Sequence, residues 1–302
     1  MFAGGSIRGD GMLFWQIAGD DGTGPQMITN GHKCERGVVF NLRSKRIILS
    51  SEEGISMPTQ LSVNVNKVAT IRNTRALDIP NVVHCAKLAL DAGAHGITIH
   101  PRPDHRHIRP NDVDLLAAFL KTYPRAEFNI EGNPFIDYLP HIQRVRPTQC
   151  TLVPDDPDSF TSDRGWKVAG NETRLREVIA ELKGLGARVS VFMDADSQEF
   201  ELVREMGADR IELYTEPYAA EYAKGGAARD AVVKRYADAA RRAQKVGLGV
   251  NAGHDLNLHN LPTFVRAIPG LLEVSIGHAL IADALEFGLA ETVRKYLAAC
   301  AG

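Results

Sequence analysis

The chain has no excess of either charge: 35 Lys and Arg stand against 37 Asp and Glu, a formal net charge of -2 over 302 residues. That balance leaves no electrostatic footprint for nucleic acid or for an anionic membrane, so no partner of either kind is expected. Cysteine is scarce and scattered. Cys34, Cys85, Cys150 and Cys300 have no paired spacing that would suggest a zinc site or a disulfide framework, and they read as reduced thiols. No apolar run approaches the roughly 20 residues needed to span a bilayer, and the first residues lack the basic start and long apolar stretch of a signal peptide. The expectation is a cytoplasmic protein with no membrane contact.

What is present is ordinary globular material, 44% hydrophobic and 24% charged, in a chain long enough for one large domain or two ordinary ones. Residues 1–56 differ in texture, with Gly- and Asp-rich turns such as "AGGSIRGDG" and "AGDDGTG" between short apolar pieces. They read as an atypical N-terminal extension, disordered or upstream of a natural start at Met57; a small β-appendage packed on the main domain is the alternative. Residues 57–302 read as the catalytic domain.

From residue 61 the chain alternates short β-branched runs with amphipathic stretches. The candidate strands are 61–65, 96–100, 127–131, 149–153, 188–193, 210–214, 248–252 and 272–276. Helical patterns occupy 81–93, 112–123, 138–145, 173–186, 199–207, 228–247 and 260–268, with a last helical stretch closing the chain. Several helices end in Gly and hand the chain straight to a strand, as in "GLGARV" and "KVGLGV". Eight βα repeats in about 240 residues predict an α/β protein of the (β/α)8 TIM-barrel class. An open doubly wound sheet is the competitor, but no G-x-G-x-x-G follows any of these strands.

In such a barrel, function sits at the C-terminal ends of the strands. Those ends read Asn64, Asn66 and Lys67; His100, followed by Arg102, His105, Arg106 and His107; Glu131; the loop "PDDPDSFTSDRGW"; Asp194 and Asp196; Glu212 and Thr215; His254; and Gly277 and His278. A histidine at a strand end is commonly structural, but recurrence on three strands of a group titrating near neutrality favours proton transfer. Glu131 is either a salt-bridge partner or, in a dry mouth, an acid/base group. The turn "IGHA" entering a helix suits a phosphate. Zinc held by His100, His105 and His107 is disfavoured by the neighbouring arginines, so no metal is expected. Arg106 and His105 read as surface residues.

The segments "LSVNVNKVATIRNTR", "DAGAHGITIHPRPDHRHI", "FNIEGNP", "LVPDDPDSFTSDRGW", "VSVFMDAD", "GLGVNAGHDLN" and "LEVSIGHALI" resemble, in order, the signatures of the pyridoxine 5'-phosphate synthase family. The resemblance implies a barrel with extra helices, a homo-octamer and no metal or organic cofactor. It implies condensation of 3-amino-2-oxopropyl phosphate with 1-deoxy-D-xylulose 5-phosphate to give pyridoxine 5'-phosphate, phosphate and water. By the same resemblance His100 is a proton acceptor, Glu131 a second acid/base and His254 the proton donor. Asn64, Arg75, Gly277 and His278 fall on the aminoketone phosphate, and Asp255 is a further substrate-binding position through its backbone. Asn66, Lys67, Arg102, His107 and Thr161 fall on the deoxyxylulose phosphate, Thr161 from a closing loop. Three departures stand out. Asn66-Lys67 replaces a common Asp-His; Asp255 replaces a Gly, putting a carboxylate near a phosphate; and "ALDIP" after Arg75 lacks a usual Gly. Another phosphate-binding barrel enzyme, such as an aldolase using Lys67, or a non-catalytic phosphometabolite-binding barrel, are the other readings of the residues.

Overall fold

A computed structural model describes residues 58–302 throughout and, before them, four short strands. These are β1 (Ala3–Ile7), β2 (Met12–Gln16), β3 (Val38–Asn41) and β4 (Arg46–Leu49), paired antiparallel in that order. The chain divides into two compact units, Met1–Ser56 and Met57–Gly302. Whether the first unit is an extension or an appendage lies outside the described residues, as does Cys34.

In the second unit, eight parallel strands close on themselves: β5 (Gln60–Asn64), β6 (Gly96–Ile99), β7 (Glu127–Gly132), β8 (Gln149–Leu152), β9 (Arg188–Met193), β10 (Arg210–Leu213), β11 (Gly249–His254) and β12 (Leu271–Ile276). Each falls on an expected segment. The closing seam pairs β12 with β5, Val274 opposite Leu61 and Ile276 opposite Val63. The helices are α1 (Asn66–Asn73), α2 (Val82–Asp91), α3 (Pro110–Leu120), α4 (Leu139–Val145), α5 (Glu172–Gly184), α6 (Phe200–Glu205), α7 (Glu216–Lys224), α8 (Gly226–Lys245), α9 (Leu261–Ala267), α10 (His278–Phe287) and α11 (Leu289–Cys300). Asn81 caps α2 by accepting the His84 N–H at 2.9 Å. Gly186 and Gly247 take φ of +89° and +83° between helix and strand, the left-handed stop the sequence predicts.

Two helices were not foreseen, α1 and α7. The closing stretch also differs from the expectation of one helix: it breaks at Gly288, where φ is +79°, into α10 and α11. Among the described residues no helix is long and apolar enough to cross a membrane.

The period-two alternation of the strands sorts the core into two zones. Leu61, Val63, Ile97, Ile99, Ile130, Val189, Val191, Ile211, Val250 and Val274 are fully buried in the apolar core shared with the helices. Burying each such side chain is worth roughly 1.5–3 kcal/mol. The alternate residues Ser62, Thr98, Asn129, Thr151, Ser190, Glu212, Asn251 and Glu273 are also buried, yet polar. They face the barrel interior, where Ser62 meets Thr98 at 2.7 Å and Thr151 donates to Asn129 at 3.1 Å. Gln149 on β8 reaches across to Glu273 on β12 at 3.3 Å, and Asn251 on β11 reaches Gln149 at 3.3 Å.

The strand starts carry an ionic floor. Arg188 donates to Glu127 at 3.1 Å and to Gln149 at 2.8 Å, and lies 3.6 Å from Glu273. Arg210 meets Glu273 at 3.2 Å and Asn251 at 3.0 Å. Cys150 and Cys300 are free and buried, and burial pushes both thiols up to about 12.

Candidate active site

At the opposite end of the barrel, the strand ends bring the titratable groups together. Glu131 on β7 is the hub. Its Oε2 lies 3.7 Å from His100 Nδ1, just beyond β6, and accepts from Asn64 Nδ2 of β5 at 3.5 Å. The backbone aligns the next pair: Asn66 Oδ1 accepts the His100 N–H at 2.9 Å, while Asn64 Oδ1 accepts the Asn66 N–H at 3.0 Å. Asn66 therefore holds the strand end that carries His100 in place through its side chain. Lys67 next to it is exposed.

Burial and charge tune these groups in opposite senses. His100 is held well below the ordinary histidine value, first by burial and then by the positive charges of Arg102, His107 and His254. It is neutral at pH 7, so its contact with Glu131 is not an ion pair. Glu131 is pushed up to about 7 by burial, against the pull of His254 and with Asp155 and Glu273 adding repulsion. Burial lowers His254, but the hydrogen bond to Asp255 and the charges of Asp255, Glu131 and Asp155 outweigh it, leaving a net rise. Glu212 on β10, buried and facing Glu131, is raised well above the carboxylate range by burial and then by Glu131 and Glu273. A neutral imidazole beside a readily protonated one is the arrangement that separates a base from an acid.

His254 ends β11 with φ at +53°, in the left-handed region. Its Nδ1 is bonded to the Asp255 carboxylate and its Nε2 lies 3.0 Å from Thr161 Oγ1. Thr161 belongs to the loop Pro154–Gly165 after β8, which folds over the mouth. Arg102, buried, pairs with Asp155 of this loop and donates to Ser159 O at 2.6 Å. Ser162 Oγ donates to Asp155 at 2.7 Å, and Trp166 Nε1 pins the loop's far end to Leu152 O at 3.0 Å. Arg106 departs from its expected place on the surface: half-buried, it donates to Ser159 O at 3.2 Å and Phe160 O at 3.1 Å. With the loop down, about 10 Å³ is left between His100, Arg102, Asn133 and Asp155, no more than one water-sized space. A larger cavity of about 460 Å³, lined by Asp196, Lys234, Arg235 and Arg242, holds none of these groups.

The two expected anion positions are built differently. Gly277 precedes α10, and a Cβ there would come within 3.1 Å of the Asn64 side chain, so that side chain packs directly on the Gly277 backbone. His278 begins the helix, exposed; Arg75 is exposed in the loop after α1. The Asp255 N–H, expected near phosphate, is donated to Thr215 Oγ1 at 3.2 Å. On the other side His107 is buried, and burial with Arg102 and Lys67 lowers it to about 4. Its ring lies 6.3 Å from that of His100. His107 O accepts from Arg72 at 3.2 Å and Asn73 at 2.8 Å, and Arg72 is locked to Asp112 at 2.5 Å. His105 is exposed, and no three His, Cys, Asp or Glu side chains gather as metal ligands among the described residues. Glu212, Asp155 and the Arg72–Asn73 pair are what the sequence reading left without a role. Glu212 had a signal, a carboxylate set between Ile211 and Leu213 inside a short strand.

The sequence matches the family described as "Pyridoxal phosphate biosynthesis protein PdxJ" over residues 61–302. It is 54% identical to the pyridoxine 5'-phosphate synthase of Albidiferax ferrireducens, covering 80% of this chain and 97% of that protein. It is 53% identical to the protein of the same name from Allorhizobium ampelinum, covering 81% and 98%. Among solved structures, tryptophan synthase from M. tuberculosis superposes with a TM-score of 0.55 at 10% identity, over 81% of this chain and 93% of that one, a likeness of fold alone. Family match, relatives and barrel-mouth chemistry agree, and the chain belongs to the PdxJ family of pyridoxal phosphate biosynthesis proteins.

Proposed function

We propose that the chain is a pyridoxine 5'-phosphate synthase, condensing 3-amino-2-oxopropyl phosphate with 1-deoxy-D-xylulose 5-phosphate to release phosphate and water. The observation that carries the reading is the opposed tuning of His100 and His254 around Glu131. An amine must add to a ketone, oxygen must leave as water and as phosphate, and a carbon–carbon bond must close the ring. Protons therefore leave and arrive at different atoms of one bound intermediate, which several fixed acid/base groups around one mouth can serve.

His100, neutral, takes a proton from substrate; Glu131, 3.7 Å away and near neutrality, receives or returns it. His254 gives a proton to a departing oxygen from Nε2. Glu212, raised by burial and by the carboxylates of Glu131 and Glu273, holds a proton more readily than an ordinary carboxylate. Asn64, Arg75, Gly277, His278 and the turn at Asp255 take the aminoketone phosphate. Asn66, Lys67, Arg102, His107 and Thr161 take the deoxyxylulose phosphate. Arg102 grips that phosphate only by giving up the Asp155 carboxylate that it holds with the loop down. The closed loop keeps water from hydrolysable imines.

Incubation with both substrates should release phosphate and yield pyridoxine 5'-phosphate by mass, while either substrate alone gives neither. Full turnover by Glu131→Gln or His254→Ala would overturn the roles, and a borohydride-trapped adduct on Lys67 would favour an aldolase instead. The reading extends to a cytoplasmic homo-octamer, resting on family likeness and checked by sedimentation of the full chain. Residues 1–56 are read as dispensable for turnover, so a chain beginning at Met57 should keep its kcat.

A further inference from the structure

Neighbouring residues on a strand point to opposite faces, so His254 and Asp255 should not meet. They do because His254 sits at φ +53°, which swings the following side chain back beside the imidazole. For a residue with a Cβ that conformation costs about 1 kcal/mol, and it persists where the surroundings enforce it. Here they do so from both sides. Thr215 Oγ1 donates to Gly253 O and accepts the Asp255 N–H at 3.2 Å, and Asn260 Nδ2 donates to Asp255 O at 3.2 Å.

We infer that Asp255 is a positioning residue that orients His254 and keeps it the cationic acid of the site, in a chain running from the Asp255 carboxylate through the imidazole to the Thr161 hydroxyl. The inference rests on the reading of His254 as proton donor. With Nδ1–H fixed on Asp255, the Nε2–H is the proton free to leave, and it points at Thr161 Oγ1 of the closing loop, 3.0 Å away. The same pairing answers the charge problem raised by a carboxylate beside a phosphate. Paired with the imidazolium, Asp255 adds no net negative charge there.

Other groups facing His254 are Glu131 of β7, Asp155 of the loop, His100 beyond β6, and the Tyr214 ring, 5.8 Å centroid to centroid. Glu212 of β10 packs against Gly253 beside it, 3.2 Å from where a Cβ would stand. Glu131 and Asp155 also favour the cation, but Asp255 is the one that hydrogen-bonds it, so its effect is separable by substitution.

The test pairs kinetics with a direct titration on the full-length protein. Asp255→Asn keeps an acceptor for Nδ1–H but removes the charge; Asp255→Ala removes both. The alkaline limb of kcat, where a protonated donor is lost, should move about one pH unit lower in Asp255→Asn, a tenfold loss of kcat on that limb with little change in KM. Asp255→Ala should lose more, and Asp255→Glu should recover part of it. Titration of His254 in ¹³C-histidine-labelled enzyme without substrate, assigned by its absence in His254→Gln, should shift in the same direction. An unmoved His254 titration in Asp255→Asn, or a loss confined to KM with an unshifted limb, overturns the inference. The titration needs no turnover, so it stays readable even if His254→Gln retained full activity, the outcome that would instead sink the donor assignment.

Discussion

At Glu131 one carboxyl meets two opposed demands. Burial raises it to about 7, above the roughly 4.3 of an unfolded chain, so the folded protein binds this proton more tightly than the unfolded one. Stability contributed by that proton is complete at pH below about 4 and is lost as pH rises through 7. Above neutrality the folded protein carries a poorly solvated carboxylate. Glu131→Gln should therefore raise the melting temperature at pH 8, by the equivalent of roughly 1–3 kcal/mol, and should have no such effect at pH 4. The same substitution should cut kcat by about 10²–10⁴ and abolish an acid limb centred near pH 7. Calorimetry across that range, with the rate profile, checks both signs; a variant less stable at pH 8 contradicts the account.

At the scale of elements, α1 shows how one short helix positions a loop it does not belong to. Its last residue, Asn73, donates through Nδ2 to the carbonyls of His105, Arg106 and His107 at 3.2, 3.1 and 2.8 Å. Asn73→Ala should loosen this loop and raise KM for the deoxyxylulose phosphate about tenfold, about 1.4 kcal/mol of what these contacts supply, with kcat less affected. Steady-state kinetics with the partner substrate saturating measures this; an unchanged KM would mean His107 does not hold that phosphate. The sequence did not disclose α1, and the reason is physical. "NKVATIRN" starts one residue after a strand, buries only Val68, Ala69 and Arg72, and has no capping side chain. The eight strands were legible because β-branched alternation and Gly stops mark both ends of each. The strand-end acids and bases were legible for the same reason, since the barrel gives every strand end one destination. Arg102 was not. Its partner Asp155 is 53 residues away, and no local pattern encodes an ion pair between two loops.

Over the whole molecule, the two ends of the barrel carry different burdens. Arg188 bridges Glu127 and Glu273 in the floor, where Glu273 is buried and raised by burial and by Glu127. Arg188→Met should leave the buried Glu273 and the half-buried Glu127 underpaired and cost roughly 1–3 kcal/mol of unfolding free energy in urea. Arg188 itself bonds Glu127, Gln149 and Glu273 and none of the mouth residues, so kcat and KM at 25 °C should change little, the Glu273 charge that helps to raise Glu131 being the link between the two ends. A large drop in kcat with normal stability would contradict this.

The polar interior of the barrel reaches further than either end. The apolar packing that holds the fold lies in a ring between strands and helices, while the chemistry lies on the alternate residues inside. The apolar part of stability and the chemistry are thus written on interleaved letters of the same strands. A lineage can then lose one without the other: suppressors of a damaged core should arise on the outer letters without altering substrate choice, and new chemistries can be sampled on the inner ones while the scaffold stands.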